Sequence, residues 1–255
     1  MGVKSFVVTG GGRGVGRAIV ERLVADGDFV AAVDFEEHTL AWVDGRGRIR
    51  PVFGDAADEA VAARAVTVAA DAAPLRGWVN NAAIFRDAWL HDTPAHEAIG
   101  LIGRNLDPTV VGCAAAIRHF LAAGAGGSVV NISSHQAQRA VRGAFAYATA
   151  KAAVEGLTRA LAVDYGPAGV RVNALALGSI ATERSATHIA GLTDAERTRF
   201  DREVALLQPL GRMGEAAEVA DAVAFLLSDA ARFINGAIIP IDGGRSAVGR
   251  DPEEA

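Results

Sequence analysis

Seven short apolar runs separated by longer amphipathic stretches constrain this chain more than any other feature of it. The runs are Phe6–Thr9, Phe29–Asp34, Ile49–Phe53, Trp78–Asn81, Ser128–Ile132, Val170–Leu175 and Ala237–Ile241. Such an alternation implies βαβ units and a parallel sheet. The expected fold is therefore α/β, a doubly wound seven-stranded parallel sheet with helices on both faces. Helices are expected to start near Gly14, Asp55, Pro94, Tyr147 and Glu215. The Tyr147 helix should stop at Gly166-Pro167, with the glycine supplying a left-handed cap. No repeat or interdomain linker interrupts the pattern, so residues 1–248 read as a single domain. Residues 179–210 carry charges, threonines and no clear strand, and read as a mobile lid; residues 249–255 read as a disordered tail.

The chain has 255 residues, enough to bury one full core, and 51% of them are hydrophobic, with 29 glycines for tight turns. Its formal charge of −5 leaves no basic excess, which argues against nucleic acid and acidic membrane surfaces as partners. Cys113 is the only cysteine, so no intramolecular disulfide can form and a reducing compartment is the default. The first strand begins almost at Met1, and no apolar run reaches membrane-spanning length, so a cytoplasmic location is expected.

A glycine-rich segment, Thr9-Gly10-Gly11-Gly12-Arg13-Gly14-Val15-Gly16, lies directly between the first strand and the first helix. Glycines there permit a tight turn and the close approach of a pyrophosphate, whose charge is favoured by the free N–H groups and dipole of the helix N-terminus. The strict G-x-G-x-x-G spacing is not met. Asp34 ends the second run, where a carboxylate can accept hydrogen bonds from the adenosine ribose hydroxyls and repel a 2′-phosphate. NAD is thus favoured over NADP, with Arg13 as the group that leans toward a phosphate.

Ser134, Tyr147 and Lys151 form a second constellation. Positions i and i+4 share one face of a helix, so the Tyr147 phenol and the Lys151 ammonium can be held together. A free tyrosine titrates near pH 10, and service as a general base near neutrality requires lowering that by roughly two to three units. A unit charge about 4 Å away, at an effective dielectric near 20, interacts by roughly 4 kcal/mol, which suffices. Ser134 would donate to a carbonyl oxygen, where negative charge develops as hydride is added.

Together these motifs resemble the short-chain dehydrogenases/reductases in their compact single-domain, Rossmann-type form, and the resemblance covers nearly the whole chain. Thr9-Gly10-x-x-x-Gly14-x-Gly16 is similar to the family's cofactor loop, Asp55 to its adenine contact, and Asn80-Asn81-Ala82-Ala83 to its Asn-Asn-Ala-Gly turn. Asn105, Ser134, Tyr147 and Lys151 match its catalytic tetrad. The resemblance implies that Tyr147 transfers the proton, Ser134 holds the substrate oxygen, Lys151 binds the nicotinamide ribose and lowers the tyrosine pKa, and Asn105 positions a water. It further implies cofactor contacts at Gly10, Arg13, Gly14, Val15, Gly16, Asn81, Ala82, Ile180 and Thr182, and assembly into a homotetramer or homodimer. Two residues depart from the family pattern: Ala83 replaces a glycine, tolerable at negative φ, and Leu177 replaces a proline, which loosens the start of the lid.

The remaining polar residues divide less sharply. His91 and His96 lack metal-ligand spacing, and no catalytic metal is expected. His135 and Gln136 directly follow Ser134; they read equally as substrate contacts or as polar loop residues. Trp89, with Phe85 and Arg86, belongs to a loop suited to setting specificity, whereas Arg139 and Arg142 read as solvated charge. The function expected is NAD(H)-dependent hydride transfer between nicotinamide and a secondary alcohol or ketone. An NADP(H)-dependent 3-oxoacyl-type ketoreductase and a non-catalytic nucleotide-binding redox sensor are the alternatives.

Overall fold

The computed structural model describes residues 2–249. Strands β1 (Ser5–Thr9), β2 (Phe29–Asp34), β3 (Ile49–Phe53), β4 (Leu75–Asn80), β5 (Gly127–Ser134) and β6 (Val170–Leu177) are joined in the main sheet by β9 (Ile238–Ile241). The order is β3-β2-β1-β4-β5-β6-β9, with every pair parallel. Among the described residues, seven α-helices accompany it: α1 (Gly14–Ala25), α2 (Glu59–Ala72), α3 (Ala95–Ala123), α4 (Phe145–Tyr165), α5 (Glu183–Ala190), α6 (Asp194–Leu207) and α7 (Ala216–Leu227).

Alternation along the strands divides the core in two. Phe6 and Val8 of β1 point to one face, where Ile19 and Val20 of α1 and Val219 and Val223 of α7 complete a cluster. Val7 points to the other, against Val61 and Ala65 of α2 and Cys113 and Phe120 of α3. Both faces of the sheet are therefore covered, as all-parallel sheets require. The chain order reverses between β1 and β4, which opens a crevice beyond the carboxyl ends of those strands.

The structure corrects several expectations. The run of 179–210 holds the two-residue strand β7 (Ile180–Ala181), paired with β8 (Gly214–Glu215), followed by α5 and α6. Both helices carry capping boxes, Thr182 with Ser185 and Thr193 with Glu196, local signals that an absence of strand pattern does not reveal. The cap of α2 is Asp58, which accepts from the N–H of Ala60 at 2.7 Å. Asp55 instead accepts from the N–H of Ala57 at 2.9 Å in the preceding turn. Gly166 is right-handed, and the left-handed glycine that ends this segment is Gly169, at φ 75°. From residue 250 on, the expected tail lies outside the described residues.

Candidate active site

The glycine loop is shaped by contacts that leave no room for side chains. Gly10 and Gly14 have φ of 64° and 53°, the left-handed region that favours glycine. At Gly16 the constraint is clearance, since an added Cβ would lie 1.9 Å from the Gly10 carbonyl oxygen. Asn81 ties this loop to β4, its Nδ2 donating to the carbonyls of Thr9 and Gly10 at 3.1 Å each. The Thr9 hydroxyl accepts from the N–H groups of Asn81 and Ala82 at 3.0 and 3.1 Å. No local spacing marks this threonine as an anchor, because its hydroxyl works across strands.

Asp34 sits where β2 ends, with one carboxylate oxygen accepting from the Gly12 N–H at 2.9 Å. Trp42 closes the other side of the loop: its indole N–H donates to the Gly12 carbonyl at 3.0 Å, and the Arg17 guanidinium lies 4.6 Å from its ring centre. No spacing rule points to Trp42. A cleft of about 690 Å³ opens over this surface, lined by Gly10, Arg13, Val15, Gly16, Asp34, Asp55, Asn81 and Ala82 among others. Its size, its glycine floor and the free N-terminus of α1 fit a dinucleotide. Phe35, Glu36, Arg104 and Asp107 also line it and were not anticipated.

Gly14 reaches the start of the 179–210 segment. A Cβ there would lie 3.4 Å from the Thr182 methyl, so the start of the segment packs close against the cofactor loop. The Thr182 hydroxyl caps α5, and Ile180 is fixed by the β7·β8 pairing. Neither departure distorts the backbone: among the described residues no non-glycine has positive φ, Ala83 included. Leu177 is the last residue of β6, paired with Ser134 on one side and Ile241 on the other, so the segment starts from a firm strand end rather than a loose one.

Ser134 and Lys151 meet the carboxyl end of β5, with the Tyr147 ring beside Lys151. Ser134 is its last residue, 6% exposed, and its hydroxyl oxygen accepts from the Gln136 N–H at 3.2 Å. Lys151, on α4, is 2% exposed; its Nζ donates to the Ile132 carbonyl at 2.7 Å and lies 5.4 Å from the centre of the Tyr147 ring. Burial lowers the Lys151 pKa to about 8. The Phe85 ring meets Tyr147 edge-on, with centroids 5.4 Å apart. Asn105 is buried in α3; its side chain donates to the Leu101 carbonyl and accepts from the Ile84 N–H at 2.9 Å, fixing the turn that leads to Phe85. Ser134, Tyr147 and Lys151 are not among the residues lining the dinucleotide-sized cleft, which ends at Ile84 and Pro108 on their side.

The loop residues fall into two groups. His135 and Gln136 stay beside Ser134, whereas Trp89 is half exposed and packs beside Gly143, in the loop leading into α4. Arg139 is tied down rather than solvated freely, donating to the Ser246 carbonyl.

A family model described as enoyl-(acyl carrier protein) reductase matches residues 10–246. The chain belongs to the short-chain dehydrogenase/reductase family. It is 34% identical to 2-(R)-hydroxypropyl-CoM dehydrogenase of Xanthobacter autotrophicus, covering 95% of this chain and 98% of that one. It is 38% identical to cis-4-hydroxycyclohexanecarboxylate dehydrogenase of Sinomonas cyclohexanicum, over 95% of this chain and 96% of the relative. The crystal structure of levodione reductase superposes with a TM-score of 0.85 at 32% identity, over 96% of this chain and 98% of that one. Like these short-chain dehydrogenases/reductases, the chain is an oxidoreductase. Among its described residues, no helix is long and apolar enough to cross a membrane.

Proposed function

We propose that this short-chain dehydrogenase/reductase transfers a hydride between NAD(H) and a secondary alcohol or ketone, with Tyr147 as general acid and base. The observation that carries the reading is the buried Lys151 ammonium, held by the Ile132 carbonyl beneath the Tyr147 ring, at the strand edge that Ser134 ends. The cofactor would lie on the glycine loop, with Asp34 accepting from ribose hydroxyls, Asp55, Asn81 and Ala82 along its length, and Ile180 and Thr182 closing over it. When bound, the nicotinamide accepts the hydride in oxidation and supplies it in reduction.

Tyr147 takes the hydroxyl proton of the alcohol in one direction and returns it to the carbonyl oxygen in the other. Ser134 donates to that oxygen and holds it against Tyr147. The positive charge of Lys151 favours the phenolate, and its burial strengthens that effect because little water screens it. Asn105 holds the Ile84–Phe85 turn against Tyr147. The names of the relatives, dehydrogenases and reductases of hydroxyl or ketone compounds, support the same substrate class.

NAD is favoured over NADP because Asp34 and Glu36 both face the cleft and would repel a 2′-phosphate. We further propose that 179–210 acts as a lid over one catalytic domain, and that the protein works as a cytoplasmic homodimer or homotetramer. The cofactor reading is tested by thermal shift with NADH and, separately, NADPH. Ligand at about 100 times its Kd adds roughly 2.7 kcal/mol, which a melt resolves. A rise with NADH alone is expected, and Asp34→Ala should reduce the discrimination. A larger rise with NADPH would overturn the preference.

A further inference from the structure

One side-chain atom on each of the two residues directly after Ser134 is buried without a partner. Among the described residues, the buried side-chain nitrogen and oxygen atoms without a hydrogen-bond partner are His135 Nδ1 and Gln136 Oε1. His135 is 8% exposed. An amide's oxygen and nitrogen ends can exchange by a half-turn, so this amide can present an N–H or an oxygen to the same place. Unpaired buried groups of this kind cost roughly 1–3 kcal/mol each, and two adjacent ones beside a reacting centre call for a partner.

A cation stands close by. Arg245 follows the end of β9, and its guanidinium donates to the Ser179 hydroxyl at 3.3 Å. Among the described residues it has no ion pair. Asp242 accepts from the N–H groups of Gly244 at 3.0 Å and Ser246 at 2.7 Å, and its charge also acts on Arg245 and His135. Burial lowers the Arg245 pKa. Burial first, and then the charge of Arg245, push His135 down to about 4, so the imidazole is neutral at neutral pH and lies within the field of the arginine.

Register places these groups together. Ser134, Leu177 and Ile241 pair in one row across β5, β6 and β9, so His135, Ser179 and the turn from Asp242 to Arg245 all project beyond that row. Strands lie about 4.8 Å apart, so Ser134 and Ile241, two strands apart in that row, are separated by on the order of 10 Å.

We infer that Arg245, with His135 and Gln136, forms a subsite for an anionic group of the substrate, carried several bonds from the carbon that is oxidised or reduced. The guanidinium supplies charge and a forked set of donors that matches a carboxylate, while neutral His135 in its Nδ1–H tautomer and the Gln136 amide, turned to present its N–H, donate single hydrogen bonds at the buried end. The inference deepens the oxidoreductase reading by naming the substrate as an anionic alcohol or ketone, and it rests on that reading for the position of the reacting carbon.

The test is binding without turnover, on the full chain saturated with NADH. Butyrate, cyclohexanecarboxylate and phenylacetate are compared with their uncharged amides by thermal shift, in wild type, Arg245→Ala, Arg245→Gln and Arg245→Lys. At least one carboxylate should bind wild type tenfold or more tightly than its amide. Arg245→Ala and Arg245→Gln should remove that preference, and Arg245→Lys should keep part of it. Equal binding of acids and amides, no binding of any acid, or a preference that survives both neutral substitutions would overturn the subsite. Loss of the oxidoreductase reading would show separately, as turnover that is indifferent to Tyr147.

Discussion

Lys151 Nζ lies 5.4 Å from the centre of the Tyr147 ring, one turn away on α4, and spends one of its donors on the Ile132 carbonyl of the neighbouring strand. The helical spacing alone brings the two side chains to one face; the strand carbonyl fixes where on that face the nitrogen sits. A lysine so buried is also a pH-sensitive element of stability. Its folded pKa of about 8 is below the ordinary 10.5, so between those values the unfolded chain holds a proton that the folded chain has lost. Stability from this group therefore rises with pH through that window. Chemical denaturation of wild type and Lys151→Met at pH 7.5 and pH 9.5 should show the balance shifting toward wild type at the higher pH. A difference that does not change would contradict the burial argument. The same variant should lose turnover by at least a hundredfold.

Gly16→Ala tests the cradle. Its Cβ would meet the Gly10 carbonyl oxygen at 1.9 Å and the Asn81 amide at 2.6 Å, and neither backbone nor tethered amide can yield cheaply. Overpacking of this kind costs roughly 1–3 kcal/mol, and here it also displaces the loop on which the pyrophosphate would rest. A lower Tm together with at least tenfold weaker NADH binding is expected. A variant with wild-type NADH affinity would show that the loop does not hold the cofactor.

His135 gives a second pH signature, at the acid end. The unfolded imidazole takes a proton near pH 6.5 and the folded one only near pH 4, because burial and Arg245 oppose the charge. Stability contributed by keeping it neutral is fully present above pH 6.5 and falls as pH drops toward 4. Wild type should therefore lose more Tm than His135→Asn between pH 7 and pH 4.5. Equal losses would place the imidazole in water.

Much of this architecture is legible in the sequence. The seven runs became the seven strands of the main sheet because alternation of apolar runs and amphipathic stretches is a property of every βαβ unit. Phe29–Asp34 and Ile49–Phe53 kept their ends, and the others moved by one to three residues, as at β4, where Leu75 and Gly77 pair with β1 across a register shift although Arg76 and Gly77 break the apolar pattern. The glycine loop, Asp34 and the Lys151–Tyr147 pair were readable because each depends on local spacing. Residues that act across the fold were not. Trp42 meets Gly12 from a 3₁₀ turn thirty residues on, and Arg245 reaches Ser179 from sixty-six residues away. The helices of 179–210 escaped notice for a different reason: α6 buries no side chain, so it shows no apolar stripe, and its capping box was its one local mark.

The central claim is that Tyr147 carries the proton, and Tyr147→Phe removes one oxygen atom while keeping the ring that Phe85 packs against. The measurement is turnover of a secondary alcohol or ketone substrate by wild type and by Tyr147→Phe, alongside NADH binding to both. The account predicts unchanged NADH binding and a fall in kcat of at least a thousandfold. Turnover within a few-fold of wild type, with the cofactor still bound, would contradict it.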